Sequence, residues 1–340
     1  MKKILFLLLI LIPIKVNAIS ARSAILMDTD NNVILYEKNI NEVRSVASIS
    51  KIMTAILAIE SGKMDDIVII GNEIDNAYGS GIYIKKGEEL TLRDLVYGLM
   101  LRSGNDAALA IAHYVGGSVD EFVEMMNNKA KEIGMKNTEF NNPSGLDEEK
   151  GNYSTAYDMA KLASYAIKND EFKKITGTKK YKLKTNMNTY IWNNKNKMLT
   201  MYKYSTGGKT GYTEIAKRTL VSYATKDNTN LVVVTLNDGN DWNDHKELFE
   251  YGFNNYKNYT LINRGNINIY DDIYYKNYTL YVKNDYNYLF NKNVTNNVLF
   301  KYQLTKNRNV KNDDIVGNLL IFIDDKKIHS EPIYAKEKVW

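Results

Sequence analysis

The pattern of hydrophobic and polar positions predicts strands at both ends of a first domain, with helices between them. Apolar runs at residues 23–27 and 33–36 flank a turn rich in Asp and Asn, which predicts an antiparallel hairpin. Apolar residues at helical spacing predict a helix over residues 48–60. Later apolar runs predict three more strands and a last helix: strands at residues 198–201, 220–224 and 231–236, and a helix over residues 243–251 that ends at Gly252.

Capping signals mark the starts of several helices between about residues 45 and 170. In each signal an acidic residue follows a hydroxyl residue by three positions, so that the side chains can satisfy free amides of the first turn. The pairs are Thr91 with Asp94, Ser118 with Glu121, and Thr155 with Asp158. Strands, helices and strands in this order predict an α/β (α+β) layer fold, in which strands from both ends of the domain share one sheet.

The composition changes after about Phe253 and predicts a second, smaller domain. With 340 residues, 44% of them hydrophobic, the chain is long enough for two domains. Residues 256–340 are rich in Tyr, Asn and Lys and contain short alternating runs between Asp-rich turns. The runs lie at residues 279–282, 298–302 and 319–323, and the turns at residues 313–314 and 324–325. We therefore expect one domain over residues 19–255 and a β-rich domain over residues 256–340.

The first 18 residues have the features of a signal peptide. Lys2 and Lys3 precede an apolar run of 11 residues, Ile4–Ile14, which is short for a membrane span, and a small-residue cleavage site ends at Ala18. A retained anchor is the alternative. The segment holds three lysines and no acidic residue, so its removal lowers the formal net charge from +5 to +2. This balance gives no case for nucleic acid as a partner, and we expect an exported protein.

Cysteine and histidine are scarce, which narrows the chemistry. The chain has no cysteine, so disulfides and thiolate catalysis are excluded. Its three histidines lie far apart and lack the spacing of metal ligands, so we expect no metal and no other cofactor. A histidine base is correspondingly hard to find.

Three short motifs carry residues suited to covalent catalysis, although each is weak alone. In the first, Lys51 follows Ser48 by three residues, which places both side chains on one face of the predicted helix. A serine hydroxyl needs a base to remove its proton, and a lysine amine is the natural candidate here. That amine must be neutral, which requires burial or a nearby cation. A capping serine followed by a surface lysine is the alternative.

The second motif, Ser103-Gly104-Asn105, lies between two predicted helices over residues 92–101 and 106–115. A turn between helices can hold Ser103 and Asn105 so that both face a cleft. We expect Ser103 to pass a proton between Lys51 and a leaving amine, and Asn105 to hydrogen-bond the amide of the substrate. An ordinary helix break with a capping residue is the alternative.

The third motif begins at Lys209 and follows two glycines at a predicted strand edge, where glycine permits close approach of a ligand. We expect Lys209 and nearby threonine hydroxyls to bind a carboxylate, and the backbone amides of Tyr212 and Ser48 to form an oxyanion hole. A plain hairpin edge is the alternative. The predicted substrate-binding residues are Asn105, Lys209, Thr210, Gly211, Tyr212 and Thr213.

Together and in this order, the three motifs resemble those of the D-alanyl-D-alanine carboxypeptidases among the low-molecular-mass penicillin-binding proteins. The resemblance extends over residues 20–339, and further similar segments lie at residues 44–55, 100–108, 142–146, 153–160, 208–213 and 313–339. It implies a β-lactamase/transpeptidase-like domain, with an antiparallel sheet flanked by helices, followed by a small all-β domain.

The resemblance also implies a reaction. Ser48 attacks the bond between the two terminal D-alanines of a peptidoglycan stem peptide, and water then hydrolyses the acyl-enzyme. Lys51 is the implied base, while Lys209 recognises the terminal carboxylate and keeps Lys51 neutral. The implied partners are peptidoglycan stem peptides, with β-lactam antibiotics as acylating inhibitors, on the cell-wall side of the cytoplasmic membrane.

Three departures from the family pattern stand out. Asn152 occupies a position where histidine is frequent. Residues 241–245 are acidic where many relatives carry an arginine, so we expect Arg218 or the threonine hydroxyls to bind the carboxylate instead. Residues 336–340 are too few and too charged for the amphipathic anchoring helix of many relatives, which leaves membrane attachment in doubt.

Two other functions fit parts of the sequence. A β-lactamase would share the nucleophile and the lysine, but a class A enzyme needs a further glutamate for deacylation, and the usual Glu-x-x-Leu-Asn pattern is absent. A catalytically silent wall-binding protein would keep only the cleft. The intact Ser48, Lys51 and Ser103 speak against that alternative.

Overall fold

The computed structural model of the protein describes residues 19–147, 150–269, 274–306 and 309–338. The chain divides into two compact units, the first ending at Asn254 and the second beginning at Asn255. The predicted signal peptide lies outside the described residues. Of the helices in the described part, none is long and apolar enough to cross a membrane.

The first unit mixes strands and helices. The strands described for it are β1 (Ser23–Asp28), β2 (Ile34–Lys38), β3 (Arg44–Ser45), β4 (Ile67–Ile69), β5 (Glu89–Thr91), β6 (Tyr153–Ser154), β7 (Lys180–Lys184), β8 (Thr189–Asn193), β9 (Ser205–Thr213), β10 (Lys217–Lys226) and β11 (Thr229–Leu236). The helices are α1 (Lys51–Glu60), α2 (Leu92–Arg102), α3 (Asn105–Gly116), α4 (Val119–Ile133), α5 (Ala156–Ala166), α6 (Asp170–Gly177), α7 (Met198–Met201) and α8 (Asp241–Asn255). A 3-10 turn, Ala47–Ser50, leads directly into α1.

The main sheet of this unit is antiparallel and has the strand order β2-β1-β11-β10-β9. Its centre joins the two ends of the unit, because β1 pairs with β11 from Ser23 opposite Leu236 to Asp28 opposite Leu231. Every residue of β1 is buried. The predicted sharing of one sheet by early and late strands is therefore confirmed, and β9, which carries the third motif, lies at the edge.

Helix α1 lies in the core of the first unit. Nine of its ten residues are buried, and it packs against α2, α3 and α5. A helix that is apolar all round belongs inside a protein rather than on its surface. Lys51, the first residue of α1, is thereby carried into the interior.

The predicted capping residues do begin helices. The Thr91 hydroxyl accepts a hydrogen bond from the Asp94 amide, and the Asp94 carboxylate accepts one from the Thr91 amide at 2.9 Å, which completes a capping box at the start of α2. The hydroxyls of Ser118 and Thr155 accept hydrogen bonds from the amides of Glu121 and Asp158 and so cap α4 and α5. Satisfying these amides fixes where each helix starts.

Two predictions about late elements are wrong. Residues 198–201 form the helical turn α7 instead of a strand: the Asn196 side chain accepts from the Met198 amide, and Met198 and Leu199 are both buried, whereas a strand would point them to opposite faces. Helix α8 also continues past Gly252 to Asn255. A Cβ at Gly252 would lie 2.7 Å from the Leu231 side chain, so this glycine permits close packing and does not end the helix.

The second unit is all-β in its described part. Its strands are β12 (Tyr256–Ile262), β13 (Gly265–Ile267), β14 (Tyr278–Val282), β15 (Tyr286–Asn291), β16 (Val298–Leu304), β17 (Asp314–Ile323) and β18 (Lys326–Glu337). Five of them form a sheet in the order β13-β14-β18-β17-β16, and β12 pairs with β15. Asp324 and Asp325 both have positive φ values and form the two-residue turn between β17 and β18, as predicted.

Candidate active site

The 3-10 turn and α1 place Ser48 beside Lys51. Ala47, just before the serine, has a φ of +49°, a conformation that is uncommon for a residue with a side chain. The Nζ of Lys51 lies 3.1 Å from the Oγ of Ser48. Ser48 is partly exposed, whereas Lys51 is fully buried. A reachable hydroxyl within hydrogen-bond distance of a shielded amine is an arrangement suited to nucleophilic catalysis.

Two further acceptors hold the Lys51 amine in place. Its Nζ donates to Oδ1 of Asn105 at 2.7 Å and to the backbone carbonyl of Ser144. The other end of the Asn105 amide donates to the carbonyl of Tyr78 at 2.6 Å. Asn105, which we predicted to hydrogen-bond a substrate amide, thus contacts Lys51 through one end of its side chain and Tyr78 through the other.

The surroundings of Lys51 disfavour its charged form. Burial holds the pKa of its amine well below the usual value, and the neighbouring cations Lys209 and Lys195 lower it further, while Asp106 acts in the opposite direction. Desolvation and like charge both favour the neutral amine. Lys51 can therefore accept the proton of Ser48, as the predicted chemistry requires.

The second and third motifs meet at a single hydrogen bond. Ser103 ends α2 with a φ of +65°, and its hydroxyl accepts from the Nζ of Lys209 at 3.0 Å. Lys209 also donates to the carbonyl of Thr210 at 2.6 Å. Burial, followed by the charge of Lys195, lowers the pKa of Lys209 to about 7. The structure thus pairs Ser103 with Lys209, whereas the prediction placed Ser103 between Lys51 and the leaving group.

Two glycines let β9 approach its neighbours closely. A Cβ at Gly211 would lie 3.0 Å from the backbone nitrogen of Ser48 and 2.4 Å from the Thr219 hydroxyl. At Gly208, where φ is +150°, a Cβ would lie 2.2 Å from the Val221 carbonyl. Without side chains at these positions, β9 can lie against both the nucleophile turn and β10. The close approach that we predicted for a ligand is made by the backbone of the protein itself.

Similarity to known protein families points the same way as this geometry. The sequence profile of the D-alanyl-D-alanine carboxypeptidases matches residues 13–240. The chain belongs to this family. A second profile, that of the C-terminal domain of penicillin-binding protein 5, matches residues 256–340. The resemblance inferred from the three motifs is therefore confirmed.

Individual carboxypeptidases show how far the similarity extends. D-alanyl-D-alanine carboxypeptidase DacF of Bacillus subtilis is 39% identical over 253 residues, which is 72% of this chain and 65% of DacF. Escherichia coli DacC is 33% identical over 264 residues, 72% of this chain and 64% of DacC. The chain thus spans somewhat less than two thirds of these relatives. The solved structure of DacD from Francisella tularensis covers 97% of this chain, with 27% identity and a TM-score of 0.70.

The part of this carboxypeptidase-family site predicted to bind a carboxylate is occupied by internal hydrogen bonds. The hydroxyl of Thr213 donates to the Asp147 carboxylate and accepts from the Ala216 amide at 3.0 Å. Tyr212 is 57% exposed, and its hydroxyl donates to Glu214 at 2.8 Å. Thr213 therefore has no hydroxyl proton left for a ligand unless Asp147 releases it.

The predicted substitute for the family's arginine is also engaged. Both oxygens of the Asp241 carboxylate accept from the guanidinium of Arg218, the shortest contact being 2.7 Å. Arg218 is therefore paired with Asp241. Of the predicted threonines, Thr210 follows Lys209 in the chain and is partly exposed. In the described residues, no cluster of three or more histidine or acidic side chains is placed to hold a metal ion.

A loop at residues 142–146, which the sequence showed only as a segment similar to the family, closes the site beside Lys51. The Asn142 side chain accepts from the amides of Ser144 and Gly145, at 3.1 and 2.6 Å, and this turn directs the Ser144 carbonyl at the lysine. Gly145 has a φ of +78°, and a Cβ there would lie 2.1 Å from the carbonyl of Ala47. The Asn-Pro-Ser-Gly sequence is rich in turn-forming residues, which was the available signal.

Asn152 holds this loop in place through hydrogen bonds, a structural role that the sequence did not indicate. Its Oδ1 accepts from the amides of Asn141 and Asn142 at 2.7 and 3.1 Å, and its Nδ2 donates to the Asn142 carbonyl at 2.9 Å. The side chain is fully buried with these partners. An amide supplies both acceptor and donor at this position, so the departure from histidine is structurally accommodated.

Proposed function

We propose that the protein is a serine-type D-Ala-D-Ala carboxypeptidase that removes the terminal D-alanine from peptidoglycan stem peptides and is acylated by penicillins. The observation that carries this proposal is the contact of 3.1 Å between Ser48 and a fully buried Lys51 whose pKa is strongly lowered. Membership of the carboxypeptidase family supports the choice of substrate.

In the proposed acylation step, Ser48 Oγ attacks the carbonyl carbon of the last peptide bond while its proton passes to Lys51. The backbone amides of Ser48 and Tyr212 would stabilise the resulting oxyanion, where charge exists only transiently. The carbon–nitrogen bond then breaks, and the proton held by Lys51 passes through Ser103 to the nitrogen of the leaving D-alanine, which returns Lys51 to its neutral form. The products of this step are an ester on Ser48 and free D-alanine.

Deacylation would use the same base a second time. Lys51 accepts a proton from a water molecule as the water oxygen attacks the ester carbonyl. The ester bond breaks, the shortened peptide leaves as a carboxylic acid, and the proton returns to Ser48 Oγ. Lys209 would attract the terminal carboxylate of the substrate, and its charge also favours the neutral form of Lys51.

A comparison of two reactions tests this function against its alternatives. The wild-type protein should release D-alanine from a stem-peptide analogue and turn over penicillin slowly. Rapid penicillin turnover without D-alanine release would indicate a β-lactamase, and neither reaction nor labelling would indicate a silent wall-binding protein. Fluorescent penicillin should label the wild type and the control Ser61→Ala, but not Ser48→Ala; equal labelling of Ser48→Ala would exclude Ser48 as the nucleophile.

We also propose that residues 1–18 direct export, so that the site works on the cell-wall side of the membrane. Support comes from the lysines at positions 2 and 3, the apolar run and the small-residue site ending at Ala18. The N-terminus of the protein recovered from the expressing cells should be Ile19. An intact Met1 in the cytoplasmic fraction would contradict export.

A further inference from the structure

The first described residues of the chain lie against two buried carboxylates, those of Asp238 after β11 and Asp244 in the first turn of α8. The backbone amide of Ser20 donates to Asp244 Oδ2 at 2.6 Å, and the amide of Ala21 donates to the same oxygen at 3.4 Å. The hydroxyl of Ser20 lies 2.7 Å from Asp238 Oδ1 and 2.9 Å from Asp244 Oδ2. Because a hydroxyl has a single proton, only one of the two carboxylates can receive it at a time.

The second oxygen of Asp238 is left over. The residue is 1% exposed, and its Oδ2 has no hydrogen-bond partner among the described residues. The nearby Thr235 hydroxyl lies 3.0 Å from Nε2 of His245. Burial raises the pKa of Asp238 to about 6, and the charge of Asp244 contributes to the rise, while hydrogen bonds act in the opposite direction. The ionised form of this buried carboxylate is therefore poorly compensated.

No cation of the described residues pairs with either carboxylate, because the neighbouring cations are engaged elsewhere. Arg218, whose backbone carbonyl accepts from the Asp238 amide at 3.0 Å, forms its ion pair with Asp241. Lys38 donates to the backbone carbonyl of Ile19 at 2.6 Å. Since buried charges in proteins are ordinarily paired with an opposite charge, these two carboxylates form a docking site for a cation.

Hydrolysis of the bond between Ala18 and Ile19 creates a cation next to this site. Water adds across the peptide bond, Ala18 keeps the new carboxylate, and the nitrogen of Ile19 changes from a neutral amide to an ammonium group. Adjacent backbone nitrogens are about 3–3.6 Å apart, and that of Ser20 lies 2.6 Å from Asp244, so the ammonium lies within about 6 Å of this carboxylate. At such a distance an opposite charge favours the ionised form of a carboxylate.

Ile19 is itself held in place beside the two carboxylates. Its side chain is part of the buried apolar set, with 3% of the residue exposed. Its carbonyl accepts from Lys38, and the residue that follows it is bound to Asp244 through the backbone. A charged nitrogen on a residue that is already fixed loses little conformational freedom when it forms an ion pair.

We propose that the α-ammonium of Ile19, formed when residues 1–18 are removed, docks onto Asp238 and Asp244 and completes the fold of the first unit. The inference rests on the proposed export, because only cleavage after Ala18 places a charged nitrogen at this position. The first unit then reaches its full stability after processing and not before it.

Labelling of the α-amine in the processed protein tests the ion pair. Each unit by which an ion pair raises the pKa of an α-amine above its usual value of about 8 lowers the neutral, reactive fraction about tenfold. We expect trace acetic anhydride at neutral pH to acetylate Ile19 at least about tenfold more slowly in the folded protein than in urea. Mass spectrometry of the N-terminal peptide measures the rate.

Variants assign this protection to the carboxylates. Asp238→Asn and Asp244→Asn keep the shape of each side chain but remove its charge, and both should bring the labelling rate of Ile19 towards the rate in urea. The matched control Asp227→Asn, at an exposed residue of the turn between β10 and β11, should keep the slow rate. Protection that persists in both carboxylate variants would reflect burial alone and would overturn the ion pair.

A chain that retains Ala18 provides a separate test through stability, since its ammonium is displaced by one residue, about 3.5 Å along the chain. Loss of one partner of a buried ion pair should lower Tm by about 5 °C or more relative to the chain that begins at Ile19. The same extra residue should have a much smaller effect in Asp244→Asn, where the ion pair is already broken. An equal decrease in both backgrounds would show that the ammonium and the carboxylate do not interact.

Failure of the export proposal and failure of the ion pair give different results. Recovery of a chain cut elsewhere than after Ala18 would overturn the processing and, with it, the docking of Ile19. A recovered chain that begins at Ile19, but is labelled equally fast when folded and in urea, would overturn the ion pair and leave export standing. The same Tm for the chains that begin at Ala18 and Ile19 would also overturn the ion pair.

Discussion

The nucleophile end and the carboxylate end of the cleft are built in different ways. At the nucleophile end, Lys51 is fully buried and bound to groups from three separate chain segments, including Ser48 and Asn105. At the carboxylate end, Thr213 and Arg218 are partly exposed, and acidic side chains hold them. The nucleophile end is fixed by the core. At the carboxylate end Lys209 is also buried, but Thr213 and Arg218 are held by hydrogen bonds near the surface.

This difference follows from what each end has to do. A neutral lysine base requires desolvation and nearby positive charge, so it has to be built into the interior. Recognition of a carboxylate needs donors that can change partners when the substrate arrives. Asp147 and Asp241 act as internal acceptors that a substrate carboxylate would have to displace or join.

The largest expected effect comes from breaking the nucleophile end. Lys51→Met removes the amine that takes the Ser48 proton, and general base catalysis typically contributes about 100- to 10,000-fold. Penicillin acylation and D-alanine release should both fall by this factor. Lys131→Met, which replaces an exposed lysine of α4, is the matched control and should keep full activity. Retention of more than about a tenth of the acylation rate in a folded Lys51→Met protein would rule out the lysine as base.

The charge of the buried Lys209 should lower the free energy of unfolding. Since its pKa falls from 10.5 in the unfolded chain to about 7 in the folded protein, the unfolded chain binds more protons between these pH values. The free energy of unfolding should therefore rise with pH across this window. Lys209→Met should be more stable than the wild type at pH 7, with an advantage that shrinks towards pH 10.

Urea unfolding of both proteins at several pH values measures this effect, and the activity profile complements it. The wild-type kcat/KM should decline above about pH 7, as Lys209 loses the charge that attracts the substrate carboxylate. A difference in unfolding free energy between Lys209→Met and the wild type that does not change with pH would contradict the assigned pKa.

A smaller effect is expected at the carboxylate end. Thr213→Val keeps the shape of the side chain but removes one hydrogen-bonding hydroxyl, which is worth about 0.5–1.5 kcal/mol. We expect KM for the stem-peptide analogue to rise about threefold to tenfold with little change in kcat. The exposed Thr200→Val is the control. A decrease in kcat without a change in KM would place Thr213 at the reaction centre. It would contradict the assignment of this residue to substrate binding at the carboxylate end.

The smallest effect should come from Lys195, whose charge lowers the pKa of both buried lysines. Lys195→Gln removes this charge without touching the nucleophile. The acidic limb of the penicillin acylation profile should move to higher pH, because Lys51 then holds its proton more strongly. A profile that stays in place or moves to lower pH would contradict this coupling.

The motif residues were predictable from the sequence because local spacing and family resemblance both pointed to them. Ser48 and Lys51 are linked by one helical turn, and the start of α2 follows from the Thr91 and Asp94 capping pair. The two-residue turn at Asp324 was also readable from residue type alone. Short-range patterns of this kind predict local structure because the interacting residues are close together in the sequence.

Partners distant in the sequence were not predictable. Ser144 lies 93 residues from Lys51, and Asp147 lies 66 residues from Thr213. Tertiary packing also decided the turn at Met198, where burial of two consecutive residues replaced an expected strand. Only the folded chain shows that Asp147 and Asp241 hold the groups predicted to bind the substrate.

The central claim is that a neutral Lys51 activates Ser48. Its most direct test is the pH dependence of the acylation rate at saturating penicillin. Saturation removes the effect of Lys209 on binding, so the rate reports the ionisation of the base. We predict a plateau reached well below pH 10.5, the usual pKa of a lysine amine, and no acylation of Ser48→Ala. A rate that keeps rising about tenfold per pH unit up to pH 9 would show that Lys51 has an ordinary pKa and would contradict the account.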